Sequence, residues 1–252
     1  MKKQKSHPSE KFRKGIYILP NLFTTLNLFF GYMSIITTIK GNYFAAAQFL
    51  FIAAVFDNLD GKVARATNTT SQFGIEYDSL ADLISFGVAP GMLVYMWVLQ
   101  PMGRLGWLAA FLYTACGALR LARFNTQAGS DTGDTFQGLP IPAGAGICAA
   151  TVLFCENYQF TPHVSTYLFL AMMYMVSFLM VSSVRYQSFK KPELFKKMSF
   201  NMLVLLILIV SFIAAVPCAA FFVLAVIYVI SGPITLLPFF RKSDKVSNIG
   251  SL

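Results

Sequence analysis

Charge is scarce in this sequence: only 12% of its 252 residues are Asp, Glu, Lys or Arg. A soluble domain usually carries about a quarter. The deficit is filled by apolar runs too long for core strands, and no stretch between them could form a separate soluble domain. That excludes a soluble enzyme with a simple anchor. Histidine is scarcer still, with two, His7 and His163. Neither stands in an H-x-K arrangement, so a phosphotransfer route through a histidine nucleophile has no support. Cysteine is limited to Cys116, Cys148, Cys155 and Cys218, all in or beside apolar runs and without metal-ligand spacing. They read as small buried hydrophobes rather than disulfide partners. No G-x-S-x-G or P-loop pattern occurs, and no internal repeat stands out.

Long apolar segments are what the chain has instead. Eight spans are expected, at about 17–39, 43–66, 74–98, 105–125, 140–157, 163–183, 199–216 and 218–238. The first is long enough to cross a bilayer and lacks the short core and cleavage site of a signal peptide, so it reads as a retained helix. The expected architecture is all-α and polytopic. Residues 1–16 form a basic arm, 17–238 one transmembrane domain and 239–252 a tail. Of the 20 Lys and Arg, 18 fall on one face of this arrangement, leaving Lys40 and Arg104 on the other. The positive-inside rule then puts both termini in the cytoplasm. Basic residues that line membrane borders suit anionic lipid headgroups rather than nucleic acid. The loop RYQSFKKPELFKK either lies on the surface with Phe189, Leu194 and Phe195 inserted or serves only to fix topology. His163 falls on the face away from the acids described next.

Residues 57–82 hold five of the chain's 11 acids. Four of them are aspartates: Asp57 and Asp60, three apart near the end of the second span, and Asp78 and Asp82, four apart at the start of the third. Each spacing puts a pair on one helix face. A short connection makes the two helices antiparallel neighbours, so four carboxylates converge at one membrane border. Burying like charges near lipid is costly unless a counter-charge is present. Oxygen-only ligation suits Mg²⁺, Mn²⁺ or Ca²⁺, and four carboxylates suit two ions clamping a phosphoryl group. Pairing with Lys62 and Arg65, or an ion or proton pathway, would be the other uses of such a cluster.

The pattern Asp57-x-x-Asp60-Gly61-x-x-Ala64-Arg65, eight residues, Gly74-x-x-x-Asp78-x-x-x-Asp82 resembles the signature of the CDP-alcohol phosphotransferase family. The resemblance implies transfer of a substituted phosphoryl group from a CDP-linked donor to an alcohol, with release of CMP. It implies a six-helix catalytic core, two divalent metals (Mg²⁺ or Mn²⁺, with Ca²⁺ as alternative) and a homodimer. It implies that Asp57, Asp60, Asp78 and Asp82 ligate metal, that Asp82 is also the general base, and that Gly61, Ala64, Gly74 and Arg65 lie against CDP. Asn27, with Asn21, would face the nucleotide or metal site; helix–helix hydrogen bonding is the other use of these amides.

Further segments resemble the serine-using branch of that family: PNLFTTLNLFFG at 20–31, SFGVAPG at 85–91, ALRLARFN at 118–125 and GLPIPAG at 138–144. This implies CDP-diacylglycerol and L-serine as substrates, with an archaeal-type ether lipid left open as donor. Arg120 and Arg123, three apart on one face, would hold an acceptor carboxylate or a phosphate; positive-inside anchoring is the other reading. Glycerol 3-phosphate or an inositol species are the alternative acceptors, and a cation transporter is the alternative class. Pro90 is expected to kink the third span.

Overall fold

A computed structural model describes residues 10–67, 71–127, 135–160, 166–187 and 213–234, with residues 204, 207 and 211. The helices whose bounds fall among them are α1 Glu10–Ile39, α2 Tyr43–Thr67, α3 Gln72–Met102, α4 Arg104–Gln127, α5 Ile141–Asn157, α6 Thr166–Val181 and α7 Pro217–Ile234. Five are long and apolar enough to cross a membrane, and α5 and α6 are shorter apolar helices. The chain is a multi-pass membrane protein. The expected span at 199–216 lies largely outside the described residues, as do His7, His163, Phe189, Leu194, Phe195 and the tail.

Helix α1 packs inside out relative to a helix of a soluble bundle. The buried face of α1 is Pro20, Thr24, Asn27, Gly31, Ser34 and Thr38, a stripe of small and polar residues at helical spacing. Leu22, Phe29, Tyr32 and Ile39 point outward. Lipid is as apolar as leucine, so small residues that allow close approach and polar groups that bond across helices select the interior face. Ala46, Ala47 and Ala53 of α2 are fully buried, and Ser34 Oγ donates to Ala46 O at 2.9 Å. At the turn between α1 and α2, Asn42 Oδ1 caps α2 by accepting from Ala45 N at 3.1 Å. Ser71 caps α3 in the same way, its Oγ accepting from Gly74 N at 3.0 Å.

Three features depart from the sequence expectations. First, α1 begins at Glu10, inside the segment read as an arm, because the run before Gly15 consists of good helix formers. Second, α3 runs on to Met102, and its path is set by two π-helical stretches, Leu83–Val88 and Tyr95–Leu99. Pro90, two residues past the first stretch, brings no N–H to the ladder. Helix α4 supplies donors instead: Tyr113 Oη to Phe86 O at 3.0 Å and Thr114 Oγ1 to Gly87 O at 3.2 Å.

Third, the fold, all-α as expected, also carries one short strand pair. Thr135–Gln137 (β1) and Arg185–Gln187 (β2) form a short antiparallel ladder, with Phe136 opposite Tyr186. Residues 128–134, just before β1, lie outside the described residues. The ladder continues through Gly138 N to Val184 O at 2.8 Å and Leu139 N to Leu179 O at 2.9 Å. These bonds satisfy backbone groups that the ends of α5 and α6 would otherwise leave open. Gly138 has φ +80°, and a Cβ there would come within 2.3 Å of Met180 O, so the position admits only glycine. At the far end of the bundle, Trp97 Nε1 donates to Glu156 Oε1 at 2.7 Å, tying α3 to α5. All four cysteines are free thiols.

Candidate functional site

The aspartates come together where α2 ends and α3 begins. Carboxylate oxygens of Asp57, Asp60 and Asp78 lie within 4.8 Å of one another. Asp82, one turn further along α3, sits against Asp57 and is 9% exposed. Helix α1 braces the group from the other side. Thr24 Oγ1 donates to Asp60 Oδ2 at 3.1 Å, and Asn27 Nδ2 donates to Asp82 Oδ1 at 3.0 Å. The polar stripe of α1 thus faces the acids because those acids offer it hydrogen-bond acceptors away from lipid.

The donor set fits a divalent cation. It is all oxygen, it is clustered, and Asp78 Oδ1 is buried without a hydrogen-bond partner among the described residues. Several carboxylates at this separation repel one another strongly, and a hard cation is the counter-charge that oxygen ligands select. No lysine or arginine side chain is needed within the cluster for that role, and Lys62 and Arg65 are both exposed.

Beside the cluster opens a cleft of ≈ 190 Å³ lined by Pro20, Asn21, Thr24, Asp60, Gly61, Ala64, Arg65, Ser71, Gly74, Ile75 and Asp78. Gly61, Ala64, Arg65 and Gly74, expected from the motif, all border it. A Cβ on Gly74 would meet Ser71 Oγ at 3.1 Å and Asn21 Oδ1 at 3.5 Å, so a larger residue would narrow this space. Asn27 is not among the cleft residues; it is fully buried against Asp82.

The two arginines separate. Arg120 is 9% exposed, stands 5.7 Å from the centre of the Phe124 ring, and lies within electrostatic reach of Asp82 and Tyr228. Arg123 instead reaches Val181 O with Nη1 at 3.5 Å, next to the end of α6. Sequence reasoning missed several supporting residues. Thr24 was one, although it shares a helical stripe with Asn27. Ser85 was another: its Oγ donates to Asn27 O at 3.0 Å. Gly31 makes that contact feasible, since a Cβ there would come within 2.2 Å of Ser85 Oγ and 2.7 Å of its Cα. Tyr113 and Tyr228 carried no signal in the sequence beyond being aromatic residues in apolar spans.

Residues 17–182 match the sequence profile of the CDP-alcohol phosphatidyltransferase family. The chain is 39% identical over 222 residues to the CDP-diacylglycerol–serine O-phosphatidyltransferase of Helicobacter pylori (strain ATCC 700392 / 26695), covering 88% of this chain and 92% of that protein. It is 36% identical over 173 residues to the Bacillus subtilis (strain 168) protein of the same name, covering 69% and 92%. Against the archaetidylserine synthase of Methanothermobacter thermautotrophicus it is 40% identical over 170 residues, covering 67% and 69%.

Proposed function

The chain belongs to the CDP-alcohol phosphatidyltransferase family, and from that premise we propose that it transfers the phosphatidyl group of CDP-diacylglycerol to the hydroxyl of L-serine, releasing CMP. The observation that carries the reaction class is the convergence of Asp57, Asp60, Asp78 and Asp82 beside a cleft lined by Gly61, Ala64, Arg65 and Gly74. Serine is supported by the names of the relatives. Those from Helicobacter and Bacillus are named for diacylglycerol and the one from Methanothermobacter for archaetidylserine, so the lipid part differs among them while serine is common. Phosphate-bearing acceptors such as glycerol 3-phosphate would need a richer basic surround at the aspartates than serine does.

In this reading Asp57, Asp60, Asp78 and Asp82 hold two divalent ions, Mg²⁺ or Mn²⁺. When bound, such ions neutralise charge on the diphosphate and on the departing CMP. The remaining work belongs to side chains. The cytidine and diphosphate occupy the cleft, where Gly61, Ala64 and Gly74 keep the walls close and Arg65 faces the phosphates. Asn27 Nδ2 orients the Asp82 carboxylate, which accepts the proton of the serine hydroxyl. The serine oxygen then bonds to the lipid-bearing phosphorus, and the bond from that phosphorus to the CMP oxygen breaks. Acyl chains stay in the bilayer throughout, against the apolar outer faces of the helices.

Orientation, domain limits and assembly belong to the same proposal. The bias of basic residues supports a cytoplasmic active site and termini. Residues 17–238 form the transmembrane domain between a basic arm and a tail, and a homodimer follows from the family resemblance alone.

The test uses detergent-purified protein with CDP-diacylglycerol and Mg²⁺ or Mn²⁺, following CMP with L-serine, glycerol 3-phosphate, inositol 1-phosphate or no acceptor. Serine-dependent CMP with a new aminophospholipid, lost in Asp82→Asn, is expected. CMP with another acceptor would overturn serine. No CMP from folded, metal-loaded protein would leave a cation transporter as the better reading.

A further inference from the structure

Two buried atoms near Asp82 are unused by the mechanism above. The first is the amide oxygen of Asn27. Its orientation follows from chemistry: an ionised carboxylate only accepts, so the Asn27 atom 3.0 Å from Asp82 Oδ1 is the amide nitrogen. Oδ1 therefore faces away from Asp82, and it has no partner among the described residues although Asn27 is fully buried. The second is Nε of Arg120, which also lacks a partner among the described residues on a side chain 9% exposed. Buried polar atoms are almost always satisfied, so each such exception calls for a partner such as a water, an ion or a ligand, and two of them beside one carboxylate favour a ligand.

Both atoms are held at the level of Asp82. For Arg120 the register of α3 against α4 is set by two ties, Thr114 Oγ1 to Gly87 O at 3.2 Å and Asn125 Nδ2 to Ser79 Oγ at 2.9 Å. In this antiparallel pair Arg120 lies between Thr114 and Asn125, and the residue opposite it lies between Gly87 and Ser79, at Asp82. Asn27 is fixed from behind by Ser85 Oγ on its carbonyl and by the close approach at Gly31. The site thus offers, around one carboxylate, a hydrogen-bond acceptor without charge and a cationic donor.

We propose that Asn27 Oδ1 and Arg120 Nε form the acceptor subsite for a free α-amino acid, the amide oxygen accepting from its ammonium group and Nε–H donating to its carboxylate. This rests on the reading in which Asp82 takes the hydroxyl proton of serine, and it explains how serine is told from other alcohols. Ethanolamine would leave Arg120 Nε unpaired. A phosphorylated polyol would offer Asn27 no ammonium group. Asn27 thereby moves from the nucleotide, where the family resemblance put it, to the acceptor. Arg120 and Arg123 part company, because only Arg120 lies at the level of the general base.

The experiment compares L-serine with two truncated analogues as competitive inhibitors of serine-dependent CMP release: ethanolamine, which lacks the carboxylate, and 3-hydroxypropionate, which lacks the ammonium group. They are measured on the full chain in detergent with Mg²⁺, for the wild type, Asn27→Leu and Arg120→Lys. In the wild type each analogue should bind at least about tenfold more weakly than serine, the loss of one charge-assisted hydrogen bond. Asn27→Leu also frees Asp82 from its Nδ2 hydrogen bond, so the expected mark is selective: serine and ethanolamine should weaken about tenfold more than 3-hydroxypropionate does. Arg120→Lys should raise the serine KM about tenfold or more while leaving ethanolamine inhibition within about twofold. A purely structural role would weaken both analogues equally in each variant, and that result overturns the subsite. So does a wild type that binds ethanolamine as tightly as serine, a comparison that needs no variant to fold. Absence of serine-dependent CMP from the wild type would remove the serine reading itself. Serine-dependent CMP with uniform losses would remove the subsite alone.

Discussion

Tyr113→Phe removes one hydroxyl from a fully buried ring whose Oη donates to Phe86 O at 3.0 Å. Side-chain hydrogen bonds in membrane bundles average only about 0.6 kcal/mol, because the unfolded reference also finds partners. Here the larger figure applies. Pro90 leaves the turn after Phe86 one N–H short, so the carbonyl row has one donor fewer than it has acceptors, and no water competes in the bundle interior. Losing a partner from a buried acceptor costs about 1–3 kcal/mol, and we take about 1.5 kcal/mol for Tyr113→Phe. Pro90→Ala restores a backbone donor in the same turn. The cost of Tyr113→Phe in that background should fall to about 0.5 kcal/mol, a coupling of about 1 kcal/mol. The assay is a double-mutant cycle of SDS-induced unfolding in mixed micelles on four purified proteins. Because Tyr113 also touches Gly144 and lies near Cys148, the single-mutant value alone would not discriminate; the cycle does. Equal costs of Tyr113→Phe with proline or alanine at 90 would refute the idea that the tyrosine substitutes for the missing N–H.

Other outcomes are expected from particular contacts. Gly31→Ala should reduce CMP release by about tenfold or more, because the added methyl overlaps Ser85 Oγ and backbone and pushes Asn27 off Asp82; Gly31→Ala,Ser85→Ala should not recover, since the Ser85 Cα is also too close, and recovery would show that only the hydroxyl mattered. Chelation by EDTA should abolish CMP release, and Mg²⁺ or Mn²⁺ should restore it; activity that survives exhaustive chelation would contradict a metal role for Asp57, Asp60 and Asp78. Glu156→Gln keeps an acceptor for Trp97 Nε1 but loses its charge, so stability should drop by about 0.5–1 kcal/mol in the same unfolding assay, with the serine KM unmoved because the pair sits at the far end of the bundle.

Some of this was legible in the sequence for a definite reason. Asp57, Asp60, Asp78 and Asp82 stood out because a charge in an apolar span has few explanations, and because spacings of three and four translate directly into helix faces. The short connection between α2 and α3 then forced the two pairs together. The same logic could have been carried further along α1. Pro20, Thr24, Asn27, Gly31, Ser34 and Thr38 recur at helical spacing within an apolar run, and each is buried; reading that stripe as the interior face would have found Thr24 and Gly31 with Asn27. The π-helical stretches could not be read in this way. An extra residue in a helical turn leaves no periodic mark over six residues, and Pro90 predicted a kink without predicting which donors would compensate. The β1–β2 ladder was hidden for a different reason: it pairs segments about 50 residues apart whose local composition signals only loop.

Specificity is the least legible property because it depends on what is missing around an atom. An asparagine in a membrane span can bond another helix or a ligand, and its residue type does not distinguish the two. Once α1 and α3 are packed, one half of the Asn27 amide is committed to Asp82 and the other half is not. The same holds for Arg120, which reads as a topology anchor until the Thr114 and Asn125 ties bring it level with Asp82. The aspartates lie within one stretch of 26 residues, from Asp57 to Asp82, and so a motif can define them. The acceptor groups proposed above come from α1 and α4, on either side of that stretch, and are defined only by helix register. A family could therefore keep its aspartates constant while changing the alcohol, since all four aspartates lie on α2 and α3 and the proposed acceptor groups do not. On this argument, substitutions that exchange the acceptor should cluster on the inner faces of α1 and α4, and should leave the α2–α3 junction untouched.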